Sequence, residues 1–583
     1  MTATLSRPGT PRAADRHRLS VLGGLAALSL DAMASVAYGP EAIVLVLAVA
    51  GGTGLGFTLP VTLAIALLLA VLTLSYRQVI AAFPHGGGAY GVSRAHLGRR
   101  ASLVAAASLI VDYVLNVAVS SAAGVAALTS AVPSLLPYKL WLCLGVLALI
   151  TGINLRGIAE SARAFIVPTA VFVGSILLVV VVGLFRSTPA ATVASGHLQT
   201  LQSVGVLLLL KAFANGCAAL TGVEAIANAV PSFREPRVRR AQRAEVALAG
   251  LLAVMLLGIA VLIGKFSIRP VDGVTVLSQV TAASLGNGFG YCLVQFSTVV
   301  LLALAANTSF GGLPVLAHLL AKHNNLPHVF ALRAERQVYR YGVGFLAIAS
   351  ALLLLLANGD MNTLVPLFAI GVFVDFTLSQ TGMVRHWFRS RPRGWRGKAA
   401  LNGFGALLTG LAAIVVTATK SGEGGWLIVI TLPVLVLLME WVHRGYRRIG
   451  LGPVPPPAGR WWSSRLTRDA LAAALSLGDR VEAVHVTHPG EEASAREFVE
   501  AWERWHPDVT LVQLHDERRR LGEPIAEHLR RHEGRRVFVL VAEVEPEHVG
   551  QRVLRNRRGA VLDRALRRRS DAVVCRTRFR IGA

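Results

Sequence analysis

The chain has 583 residues, of which 54% are hydrophobic and 16% charged, and its mean hydropathy is +0.56. Soluble domains carry about a quarter charged residues, so this composition argues against a cytosolic enzyme and excludes disordered, collagen-like and cysteine-stapled chains. The formal charge of +25, from 58 Lys+Arg and 33 Asp+Glu, is nearly all arginine; this reads as the usage of a GC-rich bacterial genome, and no nucleic-acid partner is expected.

A spanning helix needs about 20 predominantly apolar residues. Behind an N-terminal tail at 1–20, twelve such stretches follow: 21–49, 57–82, 102–132, 139–155, 163–185, 204–230, 244–264, 286–316, 341–357, 361–387, 401–418 and 425–442. No small-residue cleavage site follows the first apolar run, so it reads as a span and not as a signal peptide. Cytoplasmic loops are rich in Lys and Arg. With the N-terminus inside, the inner loops and helix ends hold 25 of the 31 Lys and Arg before residue 444; the outer ones hold five, and Lys211 lies within a span. One miscounted span would invert the later loops and erase this bias. Both termini are therefore expected in the cytoplasm, with the chain in the bacterial plasma membrane.

The composition changes after residue 443. Residues 444–457 form a linker that ends in the proline-rich Gly452–Pro457. In 458–583, strands are expected at 480–486, 509–514, 536–541 and 572–576, alternating with helices at 463–477, 490–505, 523–532 and 550–569. This alternation predicts a cytoplasmic α/β domain with a parallel sheet. It holds no dinucleotide-binding or P-loop glycine pattern, which argues against ATP hydrolysis. Its arginine groups, Arg518–Arg520, Arg535–Arg536, Arg555–Arg558 and Arg567–Arg569, read either as phosphate contacts or as solvated faces near an anionic membrane. The four cysteines are scattered, so no disulfide and no structural metal is expected. His85 has no accompanying nucleophile elbow, and no HExxH zinc motif occurs, so no catalytic residues are expected.

Ionisable residues inside spans are expensive and usually face a polar pathway. The informative ones here are Asp31, Glu41, Asp112, Lys211, Glu224 and Asp375. Glu41 reads as a structural partner, Lys211 as a snorkelling residue, and Asp375 as a partner for Arg385. Asp31, Asp112 and Glu224 lie deeper and are expected to line a substrate or ion pathway. Two of them fall where a helix should break. The first span reads SLDAMASVAYGP at 29–40, and the sixth reads NGCAALTGVE at 215–224. Glycine and hydroxyl residues interrupt both, and a broken helix offers backbone groups to a ligand near the bilayer midplane. Breaks five spans apart point to a five-plus-five inverted repeat.

The stretch FPHGGGAYGVSRAHLG at 83–98 resembles the loop after the second helix in the amino acid–polyamine–organocation superfamily. The segments at 28–43, 102–124, 219–233 and 366–387 are similar to the KimA-type potassium uptake permeases of that superfamily, and 458–583 is similar to their universal-stress-like cytoplasmic domain. The resemblance implies an α-helical polytopic protein with a LeuT-like fold and proton-coupled potassium uptake. It implies a potassium site at Asp31, Tyr38, Asp112, Ser120, Thr221 and Glu224. A buried carboxyl favours its proton until a cation arrives, so Glu224 or Asp112 is expected to couple the proton. The resemblance also implies a homodimer, no cofactor for transport, and regulation by a cyclic dinucleotide at the C-terminal domain. Two positions depart from the family pattern: Asn116 replaces a hydroxyl residue in the third helix, and Phe368 replaces a tyrosine in the tenth.

The residues themselves also speak to the substrate. Helix N-termini suit anions, yet the first break carries Asp31 and Met33. A fixed carboxylate repels a substrate carboxylate, most strongly at low dielectric. The break thus suits a cation, and oxygen ligands suit a hard one such as potassium. An amino acid or polyamine permease is the alternative, and a membrane nucleotide sensor that works through 458–583 is a second.

Overall fold

The computed structural model describes residues 18–156, 164–191, 203–331, 340–420, 424–448, 465–478, 480–487, 492–505, 509–516, 522–531, 537–545 and 558–580. Among them, eleven helices are long and apolar enough to cross a membrane. They coincide with eleven of the twelve expected spans. The expected ninth span is the helix Arg340–Leu356, whose 17 residues reach about 26 Å at 1.5 Å per residue. Several helices run past the apolar stretch into their arginine-rich ends. The seventh span, for example, begins at Arg237 and not at 244. Charge at a helix end marks the interface and does not stop the backbone hydrogen bonding.

The chain forms two compact units. The larger is drawn from Met1–Asn154, Ile158–Leu313 and Gly344–Val436. Its second span, Thr58–Ala82, shows how the helices partition. Ile65, Leu68, Leu72 and Tyr76 are buried, whereas Leu59, Leu63, Leu67 and Leu74 form an exposed apolar stripe. Such a stripe suits lipid, where all backbone groups are already paired within the helix. The tenth span, Met361–Ser390, packs against the third, Arg99–Ala131, and the eleventh, Trp395–Lys420. The seventh, Arg237–Lys265, packs against the second.

Two partly or fully buried helices, Gly88–His96 and Val276–Leu285, have no counterpart among the expected ones. The helix Val276–Leu285 follows the seventh span, and the Thr275 side chain caps it by accepting from Ser278 N–H. At ten residues it is too short to cross, and its VLSQVTAASL sequence carries too many hydroxyl groups to stand out as apolar.

The glycine loop at 86–88 also has a packing reason. Gly86, at φ +77°, lies so close to the Asn228 carbonyl that a side chain there would collide with it. The loop after the second span is thereby held against the end of the sixth.

The smaller unit comprises Leu155–Gly157, Pro314–Val343 and Leu437–Ala583. Near its membrane-side helices, Tyr446 Oη accepts from His328 N–H at 2.9 Å, and the two rings stack at 4.3 Å. In its C-terminal part, β1 (Glu482–Thr487) pairs in parallel with β2 (Thr510–His515), and β3 (Phe538–Glu545) with β4 (Val573–Arg580). Among the described residues these are two separate two-stranded sheets. The expected single sheet is corrected to that extent. One apolar cluster still joins them: Ile525, Ala526 and Leu566 pack against Val486 and Leu514 as well as Val539 and Val574. A second gathers Phe498, Trp502 and Val509, with Trp502 Nε1 donating to the Val509 carbonyl at 3.0 Å.

Of the arginines weighed as phosphate contacts, Arg518–Arg520, Arg535–Arg536, Arg555 and Arg557 lie outside the described residues, as does the side chain of Arg558. Arg567 pairs with Asp563 at 2.6 Å and Arg569 with Glu523 at 3.3 Å.

Candidate functional site

Both expected breaks are present. The first span runs as Val21–Leu28, is interrupted at Ser29, resumes over Leu30–Ala34, tightens into a 3-10 turn at Ser35–Ala37 and restarts at Gly39. Pro40 sits in the first turn of the restarted helix, where its missing N–H costs nothing. The sixth span stops at Gly216, passes through a 3-10 turn at Cys217–Leu220 and a turn at 221–224, and ends in the short helix Ala225–Asn228.

The two breaks meet. Ser35 Oγ donates to the Ala219 carbonyl at 2.9 Å, and the Tyr38 and Thr221 hydroxyls lie 3.4 Å apart. Gly222, at φ +76°, passes so close to the first span that an added Cβ would stand 2.8 Å from both the Ala32 nitrogen and an Asp31 carboxylate oxygen. The carboxyl groups of Asp31 and Glu224 interact across this crossing.

Asp112 enters from the third span and interacts electrostatically with Asp31, Glu224 and Asp375. Asp31, Asp112 and Glu224 are each at least nine-tenths buried, and each keeps one carboxylate oxygen without a hydrogen-bond partner. The structure thus brings together Asp31, Tyr38, Asp112, Thr221 and Glu224.

Asn116 and Ser120 are engaged elsewhere. Ser120 Oγ donates to Asn116 Oδ1 at 2.9 Å, and Asn116 Nδ2 donates to Ser309 Oγ at 2.9 Å on the eighth span. Asn116 thus ties the third span to the eighth, and the Ser120 bond stays within the third. Ser120 also lies eight residues beyond Asp112, about 12 Å along the helix axis. Phe368 is fully buried in the tenth span.

The remaining intramembrane charges separate into two kinds. Glu41 accepts from Val276 N–H at 3.1 Å and from the Asn362 amide at 3.3 Å, so it is a structural partner as expected. A carboxylate at the first turn of Val276–Leu285 also faces the positive end of that helix. Glu41→Ala should destabilise the protein by about 1–3 kcal/mol, because it strands a buried donor. A lower unfolding midpoint in detergent would register this, and an unchanged midpoint would refute it.

Asp375 does not pair with Arg385: both its carboxylate oxygens are buried and without a hydrogen-bond partner. Arg385 lies ten residues further along the same helix, about 15 Å away along the axis. Lys211 lines a cavity of about 270 Å³ together with Asn215, Asn362 and Lys420.

Sequence reasoning missed Glu245. It is fully buried, both its oxygens lack a hydrogen-bond partner, and it interacts with Glu224. It lies at the first turn of the expected span 244–264, where a charge carries no signal of burial. The helix start at Arg237 instead puts it two turns inside the span.

A family model described as amino acid permease matches residues 24–439, and one described as the KimA potassium transporter C-terminal domain matches residues 463–579. The chain is 38% identical over 539 residues to the potassium transporter KimA of Bacillus subtilis (strain 168), which covers 89% of this chain and 88% of that protein. Among solved structures, a manganese transporter mutant from Eremococcus coleocola aligns with a TM-score of 0.37 and 12% identity, over 76% of this chain and 96% of that one.

Proposed function

The chain belongs to the amino acid permease family and carries a KimA-type C-terminal domain, and from that premise we propose that it takes up potassium in symport with protons. It is a multi-pass membrane transporter and not an enzyme. The observation that carries the reading is the meeting of Asp31, Tyr38, Thr221 and Glu224 where two interrupted helices cross. Every side chain there offers oxygen, and the groups that act electrostatically on Asp31 and Asp112 are other carboxyls. Such a site attracts a small cation and repels a substrate carboxylate.

Proton coupling follows from the same chemistry. A buried carboxyl holds a proton when no cation is near and yields it when a cation arrives. Glu224, which interacts with both Asp31 and Asp112, is the natural carrier, and Asp112 is the second candidate. Asn116 and Ser120 support the site from behind. Alternating access then moves the broken helices against the surrounding scaffold.

The full reading comprises twelve spans in a five-plus-five inverted repeat, an inner-membrane location and both termini in the cytoplasm. The domain at 458–583 acts as a regulatory module that binds a cyclic dinucleotide and helps to form a homodimer. Expression in a bacterium that lacks its own potassium uptake should restore growth at low potassium. Failure there, with rescue of an amino acid auxotroph instead, would overturn the potassium reading.

A further inference from the structure

We propose that Glu245, assisted by Tyr76 and Asp375, is a second proton-binding site that carries protons between Glu224 and the arginine-rich side of the membrane domain. The proposal rests on the reading of this chain as a proton-coupled transporter. Glu245 is 0% exposed and neither of its oxygens has a hydrogen-bond partner. A carboxylate ion enclosed in this way is costly unless it gains a counter-ion or a proton.

The elements packed around Glu245 offer it no buried counter-ion: Arg77 of the second span and Arg243 of its own helix are exposed, and Asp31 and Glu41 of the first span are further carboxyls. The first-span segment Val21–Leu28 and the fifth span Ile166–Phe185 both pack on the seventh and carry no titratable side chain. The sixth span contributes Glu224, which is another carboxyl. The second span contributes Tyr76, whose buried hydroxyl lies beside the Ser379 hydroxyl of the tenth span.

Tyr76 is linked to these groups electrostatically. It interacts with Glu224, Asp375 and Glu245 alike, and its ring meets Phe376, the neighbour of Asp375, at 5.7 Å. The alignment of the two spans is pinned close by. Gln242, three residues before Glu245, donates to the carbonyl of Arg77, the residue after Tyr76, at 2.8 Å.

Two enclosed carboxyls that interact hold one proton between them far more readily than two charges. A metal cation needs a shell of several oxygens, whereas a proton needs one. In the step proposed, the Glu224 carboxyl gives its proton to the Glu245 carboxylate; one O–H bond breaks and one forms. Glu245 then releases the proton to water at the arginine-rich end, about 12 Å away along the helix from Arg237. Arg237, Arg239, Arg240 and Arg243 on that end favour a proton that leaves.

Reconstituted full-length protein tests this in liposomes that report internal potassium and pH together. Glu245→Gln should retain potassium-dependent thermal stabilisation while proton entry slows by about tenfold or more. Tyr76→Phe should slow it by a smaller factor, and Glu245→Asp should restore part of the rate. Should Glu245→Gln not fold, Glu245→Asp and Tyr76→Phe carry the test through the pH dependence of the proton flux. Wild-type coupling with unaltered proton flux in the variants that fold overturns the proton site alone. Wild-type vesicles that gain potassium without protons overturn the coupled-transport reading beneath it.

Discussion

Glu224→Gln should slow proton-coupled potassium uptake about a hundredfold while the protein still folds. Glu224 is the one carboxyl that interacts with Asp31, Asp112, Asp375 and Glu245 alike. Glutamine keeps its size and one acceptor but loses the charge and the transferable proton. The loss of a charged partner in a desolvated site costs on the order of 3 kcal/mol, which is about a hundredfold in affinity or rate. Potassium-driven acidification of liposomes measures the effect directly. Acidification at the wild-type rate would remove Glu224 from the mechanism, and Asp112 would take its place as the coupling candidate.

Gly222→Ala should be nearly as damaging, for a different reason. The residue holds φ +76°, which costs a non-glycine residue about 1–2 kcal/mol. Its new methyl would also stand 2.8 Å from the Ala32 nitrogen and the Asp31 carboxylate, both on the opposing broken span. Backbone cannot give way as a flexible side chain can, and overpacking adds about 1–3 kcal/mol. The two breaks must then separate, and the site they form opens. A lower unfolding midpoint in detergent should accompany the loss of uptake. Wild-type stability and uptake in Gly222→Ala would mean that the crossing does not hold the site.

Much of this architecture was legible in the order of residues. The interrupted helices at 29–40 and 215–224 were marked by glycine, proline and hydroxyl groups inside apolar runs, and both breaks are present. Asp31, Asp112 and Glu224 stood out because nothing local excused their burial. Glu41 was correctly read as structural, although nothing in its own segment named Val276 and Asn362 as partners. Glu245 was overlooked because it lies at the first turn of the expected span 244–264, where a charge carries no signal of burial. Asn116 and Ser120 carried the right polarity, yet they hydrogen-bond to each other and to the eighth span.

The division has a physical basis. Span length, charge bias and helix breaks are local properties, written in consecutive residues by the cost of exposing backbone or charge to lipid. The sequence by itself therefore determined that the chain crosses a membrane many times, and where its first and sixth helices fail. Which polar groups meet depends on how each helix is rotated and on where distant helices cross. Packing among segments hundreds of residues apart sets both. Only the tertiary structure could therefore place Gly222 against Asp31, bond Asn116 to Ser309 of the eighth span, and enclose Glu245 within the field of Glu224.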